Sequence, residues 1–318
     1  MRTILVTGGA GFIGSQVTRA LLERGLSVVC LDDFNDYYDP RFKRENVAPF
    51  QEHQAWKLVE GDIRDAALVD ETYRRHGVSA TIHLAARAGV RPSIRQPRLY
   101  EEVNGIGTLN LLEAAHRRGA YTFVFGSSSS VYGINSKVPF NEEDAITCPV
   151  SPYAATKRAN ELTCYTYHHL YGLKVTCLRF FTVYGPRQRP EMAIYHFAEK
   201  LARGEPVPRY GDGSTARDYT YIDDIVAGVL AALDADAPFE IVNLGGSRTT
   251  SLQRLIELIA GALGVPPRHE ELPMQPGDVP ITFADVSKAE RLWGWRPRVP
   301  IEEGIPRFVE WYRASRLR

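Results

Sequence analysis

The sequence carries no excess of either charge: 38 Lys and Arg are matched by 38 Asp and Glu, so the formal net charge at pH 7 is zero. Without a global basic field a polyanion has little to be drawn by, which excludes nucleic acid as the principal partner. An anionic small molecule must then be met by local positive charge. Cysteine is scarce. Cys30, Cys148, Cys164 and Cys177 are scattered, with no Cys-x-x-Cys pair and no histidine at metal-ligand spacing. Neither a disulfide framework nor a zinc or other metal site is expected, and the four read as buried thiols in a reducing cytoplasm. No apolar stretch approaches the roughly 20 residues that cross a bilayer. The chain enters a short apolar strand at Thr3 and then a run of glycines, which leaves no room for a signal peptide. These absences lead to the expectation of a soluble, cytoplasmic protein with no membrane partner. Internal repeats at solenoid periods and strongly biased segments are also missing.

What is present is an alternation of strand-length apolar runs with helical patterns, the mark of a parallel sheet covered on both faces. Strands are expected at Thr3 to Val6, Ser27 to Leu31, Trp56 to Glu60, Ala80 to Leu84, Thr122 to Phe125 and Val175 to Phe180. The stretch Phe12 to Glu23 places Ile13, Val17, Ala20 and Leu21 on one helical face, and Gly25 supplies its stop. After Gly185 the texture changes to Pro- and Arg-rich loops, a helix around Ala193 to Arg203, and the Gly211-Asp212-Gly213 turn. A helix at Ile222 to Leu233 and a strand at Glu240 to Leu244 suggest a return to the first sheet. The fold class expected is α/β, a Rossmann-type doubly wound parallel sheet with a second, smaller mixed α/β substrate-binding domain. The division is residues 1–185 with 221–262 returning to it, against 186–220 with 263–318.

Between the first strand and the first helix lies Gly8-Gly9-Ala10-Gly11-Phe12-Ile13-Gly14. Glycines there let the backbone turn tightly and approach a pyrophosphate, whose charge meets the unpaired N–H groups of the helix start. The spacing Gly-x-x-Gly-x-x-Gly resembles the short-chain dehydrogenase/reductase version of the dinucleotide fingerprint. The second strand ends at Asp32-Asp33, about 20 residues on, where an acidic side chain binds the adenosine ribose and repels a 2′-phosphate. NAD is therefore expected over NADP, with Asp32 as the contact and Asp33 as the other candidate. Two further strand ends fit the same pocket: Gly61-Asp62-Ile63, and Leu84-Ala85-Ala86 beneath the cofactor. His83 reads as structural.

Tyr153 and Lys157 stand four apart on a helical stretch, which puts phenol and ammonium on one face. A free phenol has a pKa of about 10 and is a poor base at neutral pH; lowering it by roughly three units asks for about 4 kcal/mol of differential interaction. Lys157 and a positive nicotinamide together can supply that magnitude. The strand Phe123-Val124-Phe125-Gly126 runs into Ser127-Ser128-Ser129-Ser130-Val131-Tyr132-Gly133, so hydroxyls stand at the exposed end of a central strand, where ligands of α/β folds gather. One of them can bridge substrate and Tyr153.

The chain resembles the extended short-chain dehydrogenase/reductases, and among them the UDP-glucuronate 4-epimerases. The resemblance rests on the glycine motif, Asp33 to Asp39, Ala86 to Ser93, the serine run, Pro149 to Tyr153, Arg179 to Pro190 and Gly213 to Tyr221, and covers nearly the whole length. It implies Tyr153, Lys157 and Ser128 as the catalytic group. It implies a cofactor site of Gly8, Gly11, Phe12, Ile13, Gly14, Asp32, Asp62 at the adenine, Ile63, Leu84, Ala85, Ala86, Asn104, Tyr153 and Lys157. Sugar dehydratases and decarboxylases of the family carry a carboxylate just before Val-Tyr-Gly, where this chain has Ser129 and Ser130; reversible hydride transfer with a single base is what remains. The resemblance further implies that Thr182 and Arg189, with Ser129 and Ser130, hold the sugar carboxylate, the Arg by a planar two-bond fork. UDP is expected at Arg217, Asp278 and the backbone near Met192, with Arg87 as a further candidate of undecided partner.

The implied activity is C4′ epimerisation of UDP-glucuronate to UDP-galacturonate through a 4-keto sugar with tightly bound NAD. UDP-glucose 4-epimerase is the alternative: relatives of that kind carry Asn where Thr182 stands and often Arg where Gln275 stands. A more distant one is an NAD-sensing binding protein without turnover. A homodimer is expected, pairing through Gly105 to Arg118 and Tyr153 to Tyr171.

Overall fold

The structure is a computed structural model that describes residues 2–135, 137–273 and 281–317. Its strands are β1 (Thr3–Thr7), β2 (Ser27–Asp32), β3 (Trp56–Glu60), β4 (Ala80–His83), β5 (Thr122–Ser128), β6 (Lys174–Phe180), β7 (Thr182–Tyr184), β8 (Val207–Tyr210), β9 (Ala216–Tyr221), β10 (Phe239–Leu244), β11 (Thr249–Ser251) and β12 (His269–Leu272). Its α-helices are α1 (Phe12–Glu23), α2 (Pro40–Val47), α3 (Ala66–His76), α4 (Val90–Arg95), α5 (Pro97–Tyr100), α6 (Gly107–Arg118), α7 (Pro152–Tyr171), α8 (Ala193–Ala202), α9 (Ile222–Asp234), α10 (Leu252–Leu263), α11 (Ser287–Trp293) and α12 (Ile301–Arg316). Among the described residues no helix is long and apolar enough to cross a membrane.

Two compact units divide the chain: Met1–Ile134, Glu142–Phe180 and Val226–Val242 form one, and Asn135–Asn141, Phe181–Ile225 and Asn243–Arg318 the other. This corrects the boundaries expected from sequence. The first crossing comes after residue 180 rather than 185, because β7 pairs with β9 instead of prolonging β6. The return is 226–242 rather than 221–262, because α10 packs on α8 and α12 of the second unit.

In the first unit a seven-stranded sheet runs in the order β10-β6-β5-β4-β1-β2-β3, with β1 to β6 paired in parallel. The strand order reverses between β1 and β4, and ligands of open α/β sheets bind outside the carboxyl ends of strands at such a switch point. The apolar runs form strands because both faces are covered: Leu5, Val29, Leu31, Phe123 and Phe125 pack with Leu111 and Leu112 of α6 and Cys164 and Tyr167 of α7 in one core. Each such side chain contributes about 1.5–3 kcal/mol when taken from water. Three cysteines are buried, but Cys148 is exposed, against the expectation for it; it lies in an irregular stretch with no apolar layer over it.

Helix α7 owes its start to Ser151, whose Oγ accepts the Ala154 N–H, and to Pro152 at its first position; it stops at Gly172, whose φ of 68° is left-handed. Between α5 and α6 the chain stays helical through a wider π-turn at Glu101–Ile106, a deformation often found at functional sites.

The second unit holds a three-stranded sheet in the order β11-β9-β7 and a parallel β8–β12 pair. Tyr195 of α8 packs against Phe308, Trp311 and Tyr312 of α12. The Asp218 carboxylate accepts N–H groups from Gly246, Ser247 and Ala284, which ties β9 to two later segments.

Candidate active site

At the switch point the first unit has a cradle that only glycine can build. Gly8, at φ 66°, would put a Cβ 2.7 Å from the Ala85 N, so the turn after β1 lies directly against the end of β4. A Cβ on Gly14 would stand 2.1 Å from the Gly8 carbonyl oxygen. Helix α1 has Gly11 as its N-cap, so it lacks a side-chain cap, and its first turn holds no acidic residue. Uncapped N–H groups of this kind, with the positive end of the helix dipole behind them, suit a phosphate.

Asp32 closes β2 and is buried; its carboxylate accepts the N–H of Ala10 at 3.1 Å and of Phe34 at 3.0 Å. Burial pushes its carboxyl above the ordinary range, a push offset in part by the Lys43 ammonium and those two N–H groups. Asp33 is half-buried and turns its Oδ1 to Asn35. Lys43 Nζ sits 3.8 Å from Asp32 and 3.9 Å from Asp33. Sequence reading missed this buried lysine, since nothing in its spacing marks an α2 side chain as the cation of the β2 end.

Asp62 is held by Arg64, which donates from its backbone N, Nε and Nη2 at 2.8, 2.9 and 2.6 Å. Partial burial raises the Asp62 carboxyl, and the Arg64 bonds outweigh it to leave the group below its ordinary range. Ile63 is buried against the position of Gly107. Leu84, Ala85 and Ala86 are half-buried just past β4, with the N–H of Leu84 donating to the Thr7 carbonyl and that of Ala85 to the Thr7 hydroxyl. Asn104, in the π-turn, is 1% exposed and braces Arg87 through both its backbone groups, at 2.8 and 3.1 Å, while donating to Thr156 Oγ1. The Arg87 Nε is buried with no partner. His83 is fully engaged between Thr7 and Thr108, and burial with the Lys157 charge holds its pKa well below the ordinary value.

Strand β5 runs three residues past the expected end at Phe125, because Gly126, Ser127 and Ser128 continue to pair with Leu178, Arg179 and Phe180 of β6. The serine run then divides by environment. Ser127 is buried and donates to Glu161; Ser128 is 8% exposed, and its Oγ accepts the Ser130 N–H at 3.1 Å, leaving its own proton to give. Ser129 and Ser130 lie half-buried in a 3₁₀ turn, Ser129–Tyr132.

Tyr153 and Lys157 both stand in the first half of α7. Tyr153 meets the buried Tyr100 edge-on at a centroid distance of 6.2 Å. Lys157 Nζ donates to the Gly126 carbonyl at 2.6 Å and lies 4.7 Å from the Phe125 ring centroid. Burial lowers its pKa to about 8, with Cys164, Glu161 and Cys177 resisting the fall. Glu161 and Tyr100 escaped the sequence reading, and Arg179 entered it only as the start of a family segment with no role; for Glu161 the signal was there, as it continues the spacing of four from Tyr153 through Lys157.

The remaining candidates belong to the second unit. Thr182 opens β7 opposite Tyr219, and Arg217 on β9 donates to the Ala216 carbonyl at 3.0 Å. Arg189 Nε is 3.2 Å from Glu191, its Nη2 is 3.3 Å from the Met192 sulfur, and Met192 caps α8. Asp278 and Gln275 lie outside the described residues. Among the described residues no three His, Cys, Asp or Glu side chains gather as a metal-holding group.

Residues 5–308 match a family model described as GDP-mannose 4,6 dehydratase. The chain is 43% identical over 312 residues to the UDP-glucuronate 4-epimerase of Thermodesulfobacterium geofontis, covering 98% of this chain and 96% of that protein. It is 42% identical over 328 residues to UDP-glucuronate 4-epimerase 4 of Arabidopsis thaliana, covering 98% and 75%. Among solved structures it is similar to the UDP-glucuronic acid 4-epimerase of Bacillus cereus in complex with UDP-glucuronic acid and NAD, with a TM-score of 0.91, 33% identity and 98% and 99% of the two chains covered. A dTDP-glucose 4,6-dehydratase of Streptomyces venezuelae with NAD bound gives a TM-score of 0.92 at 34% identity, with 99% and 98% covered.

Proposed function

The chain belongs to the NAD-dependent epimerase/dehydratase family, and from that membership we propose that it inverts C4′ of UDP-glucuronate to give UDP-galacturonate. The similarity to UDP-glucuronate 4-epimerases supports the choice of sugar, and the observation that carries epimerisation over elimination is the pair of positions before Val131-Tyr132-Gly133. Ser129 and Ser130 stand there without a carboxylate, so Tyr153 is the one proton-transfer group and elimination lacks its second acid.

The cofactor is NAD: the glycine cradle and uncapped α1 fit its pyrophosphate, and the Asp32 carboxylate its adenosine ribose. NAD, when bound, supplies the chemistry of taking a hydride from C4′ and giving it back. The protein's own part is the proton. Tyr153, as phenolate, accepts the proton of the 4′-hydroxyl, and the Ser128 hydroxyl, with its oxygen occupied by the Ser130 N–H, donates to the same sugar oxygen. Lys157 keeps the phenol acidic. With UDP held by Arg217 and Asp278, the 4-keto sugar turns about its phosphate linkage and presents its other face, and Tyr153 returns the proton. The keto sugar from glucuronate is a β-keto acid that loses carbon dioxide readily; Thr182 and Arg189 hold its carboxylate and protect it.

NMR of UDP-glucuronate incubated with the protein tests this. UDP-galacturonate is the expected product; UDP-xylose or its keto precursor would overturn the assignment, and faster turnover of UDP-glucose than of UDP-glucuronate would favour the neutral sugar as substrate. Arg189→Ala is expected to raise KM for UDP-glucuronate at least tenfold and to spare UDP-glucose. The chain is also proposed to form a homodimer through α6 and α7, which expose the apolar side chains of Leu109, Leu162 and Tyr165.

A further inference from the structure

Behind the serine turn lies a buried ion pair that the chemistry above does not use. Glu161 of α7 and Arg179 of β6 are each 1% exposed. Nε and Nη2 of Arg179 donate to the two carboxylate oxygens of Glu161, both at 2.9 Å, in the planar fork that makes such pairs directional. Two hydroxyls join them. Ser127 Oγ donates to Glu161 Oε1 at 2.6 Å, and Arg179 Nη1 donates to Tyr132 Oη at 3.0 Å with its guanidinium 4.9 Å from the Tyr132 ring centroid. Arg158 donates to Glu161 Oε2 at 3.0 Å from the half-exposed side.

The chain positions of these contacts matter more than their number. Ser127 immediately precedes Ser128, and Tyr132 ends the turn that carries Ser129 and Ser130. Both ends of the serine turn are therefore fastened to one ion pair, and that pair sits on α7 one helical turn beyond Lys157. Folding alone gives weak reason for such an arrangement, since packed hydrocarbon of similar volume commonly serves stability as well as a buried ion pair or better.

We propose that Glu161 and Arg179 are positioning residues that hold the serine turn in register with the Tyr153–Lys157 face of α7. Through them the Ser128 hydroxyl keeps its place beside the phenol while the sugar changes face. The inference rests on the epimerase reading. A misplacement of about 1 Å can cost roughly 10²-fold in rate, and loss of one fastening among several is expected to cost about tenfold.

Ser127→Ala and Tyr132→Phe each delete one hydroxyl of the clamp and leave the Glu161–Arg179 pair intact, so both are expected to fold. UDP-glucuronate turnover by the full chain is measured by NMR alongside thermal melting. Each variant should lose about tenfold in kcat with KM within twofold and Tm within a few degrees; Arg179→Lys, which keeps the charge and loses the fork, should lose about 100-fold. Wild-type kcat in both hydroxyl variants, or a loss appearing in KM alone, overturns the clamp while the epimerase reading stands. An unaltered protein that leaves UDP-glucuronate unchanged overturns that reading, and the inference with it.

Discussion

Replacing Lys157 with methionine separates what this residue does for folding from what it does for chemistry. The ammonium is fully buried, and burial lowers its pKa from 10.5 to about 8. The difference, 10.5 − 8 = 2.5 units, multiplied by 1.36 kcal/mol per unit, means that the folded state at neutral pH is about 3 kcal/mol worse off for keeping the group charged. Methionine removes that cost and fills similar space, but strands the Gly126 carbonyl that Nζ now serves, a loss of about 1–3 kcal/mol. The two nearly cancel, so Lys157→Met should melt within about 5 °C of the unaltered protein or slightly above it. Turnover should collapse. If lysine supplies half of the roughly 4 kcal/mol needed to make Tyr153 a base near neutrality, its loss costs about 2 kcal/mol, or about 30-fold in kcat. The pH dependence has a definite sign. With its folded pKa below the unfolded one, the group is protonated in the unfolded chain and neutral in the folded one between about pH 8 and 10.5, so stability rises with pH across that window and the methionine variant lacks the rise. The unaltered enzyme should lose kcat above about pH 8 as the ammonium deprotonates, whereas the variant should gain activity toward pH 10 as its phenol ionises unaided. A variant within threefold of wild-type kcat at pH 7.5, or one that melts more than 10 °C lower, would refute the reasoning.

Asp32→Asn keeps the shape of the β2 end and removes its charge; the fraction of protein purified with NAD, read by absorbance after denaturation, should fall, and added NAD should bind at least tenfold more weakly by calorimetry. Leu162→Glu and Tyr165→Glu each place a charge on the apolar face of α7, where the native side chains are 53% and 51% exposed. Light scattering should then report monomer in place of dimer, with far-UV circular dichroism unchanged; a monomeric unaltered protein would sink the dimer.

The strands of the main sheet are legible in sequence because a parallel sheet covered on both faces demands apolar runs, and β1, β2 and β3 are found within a residue of where those runs place them. The extension of β5 is not legible. A glycine and two serines have little strand preference of their own, and only pairing with Leu178, Arg179 and Phe180 makes Gly126 to Ser128 a strand. Strands β7 and β11 hold three residues each, too few for any period to register, and β7, β9 and β11 are stabilised by partners far away in sequence. Tyr153 and Lys157 show themselves by a spacing of four on a helix. Lys43 does not, since its place between Asp32 and Asp33 is tertiary.

The serine run shows what sequence leaves undetermined at a site. Four identical side chains in succession differ only in what surrounds them: a buried carboxylate for Ser127, a backbone N–H for Ser128, a half-open turn for Ser129 and Ser130. The same environment explains why a chain with no net charge keeps Lys157, Glu161 and Arg179 almost wholly out of water within one small region. Their burial costs stability, yet not in the same way. Lys157 donates to a backbone carbonyl and can be replaced by hydrocarbon at little loss, whereas removing the Glu161 carboxylate leaves the Arg179 guanidinium buried without its counter-charge, a fault of about 3–5 kcal/mol. Glu161→Leu should therefore melt far below Lys157→Met although both abolish one buried charge. Equal melting temperatures would mean that Arg179 finds another partner and that the pair does not fix the turn.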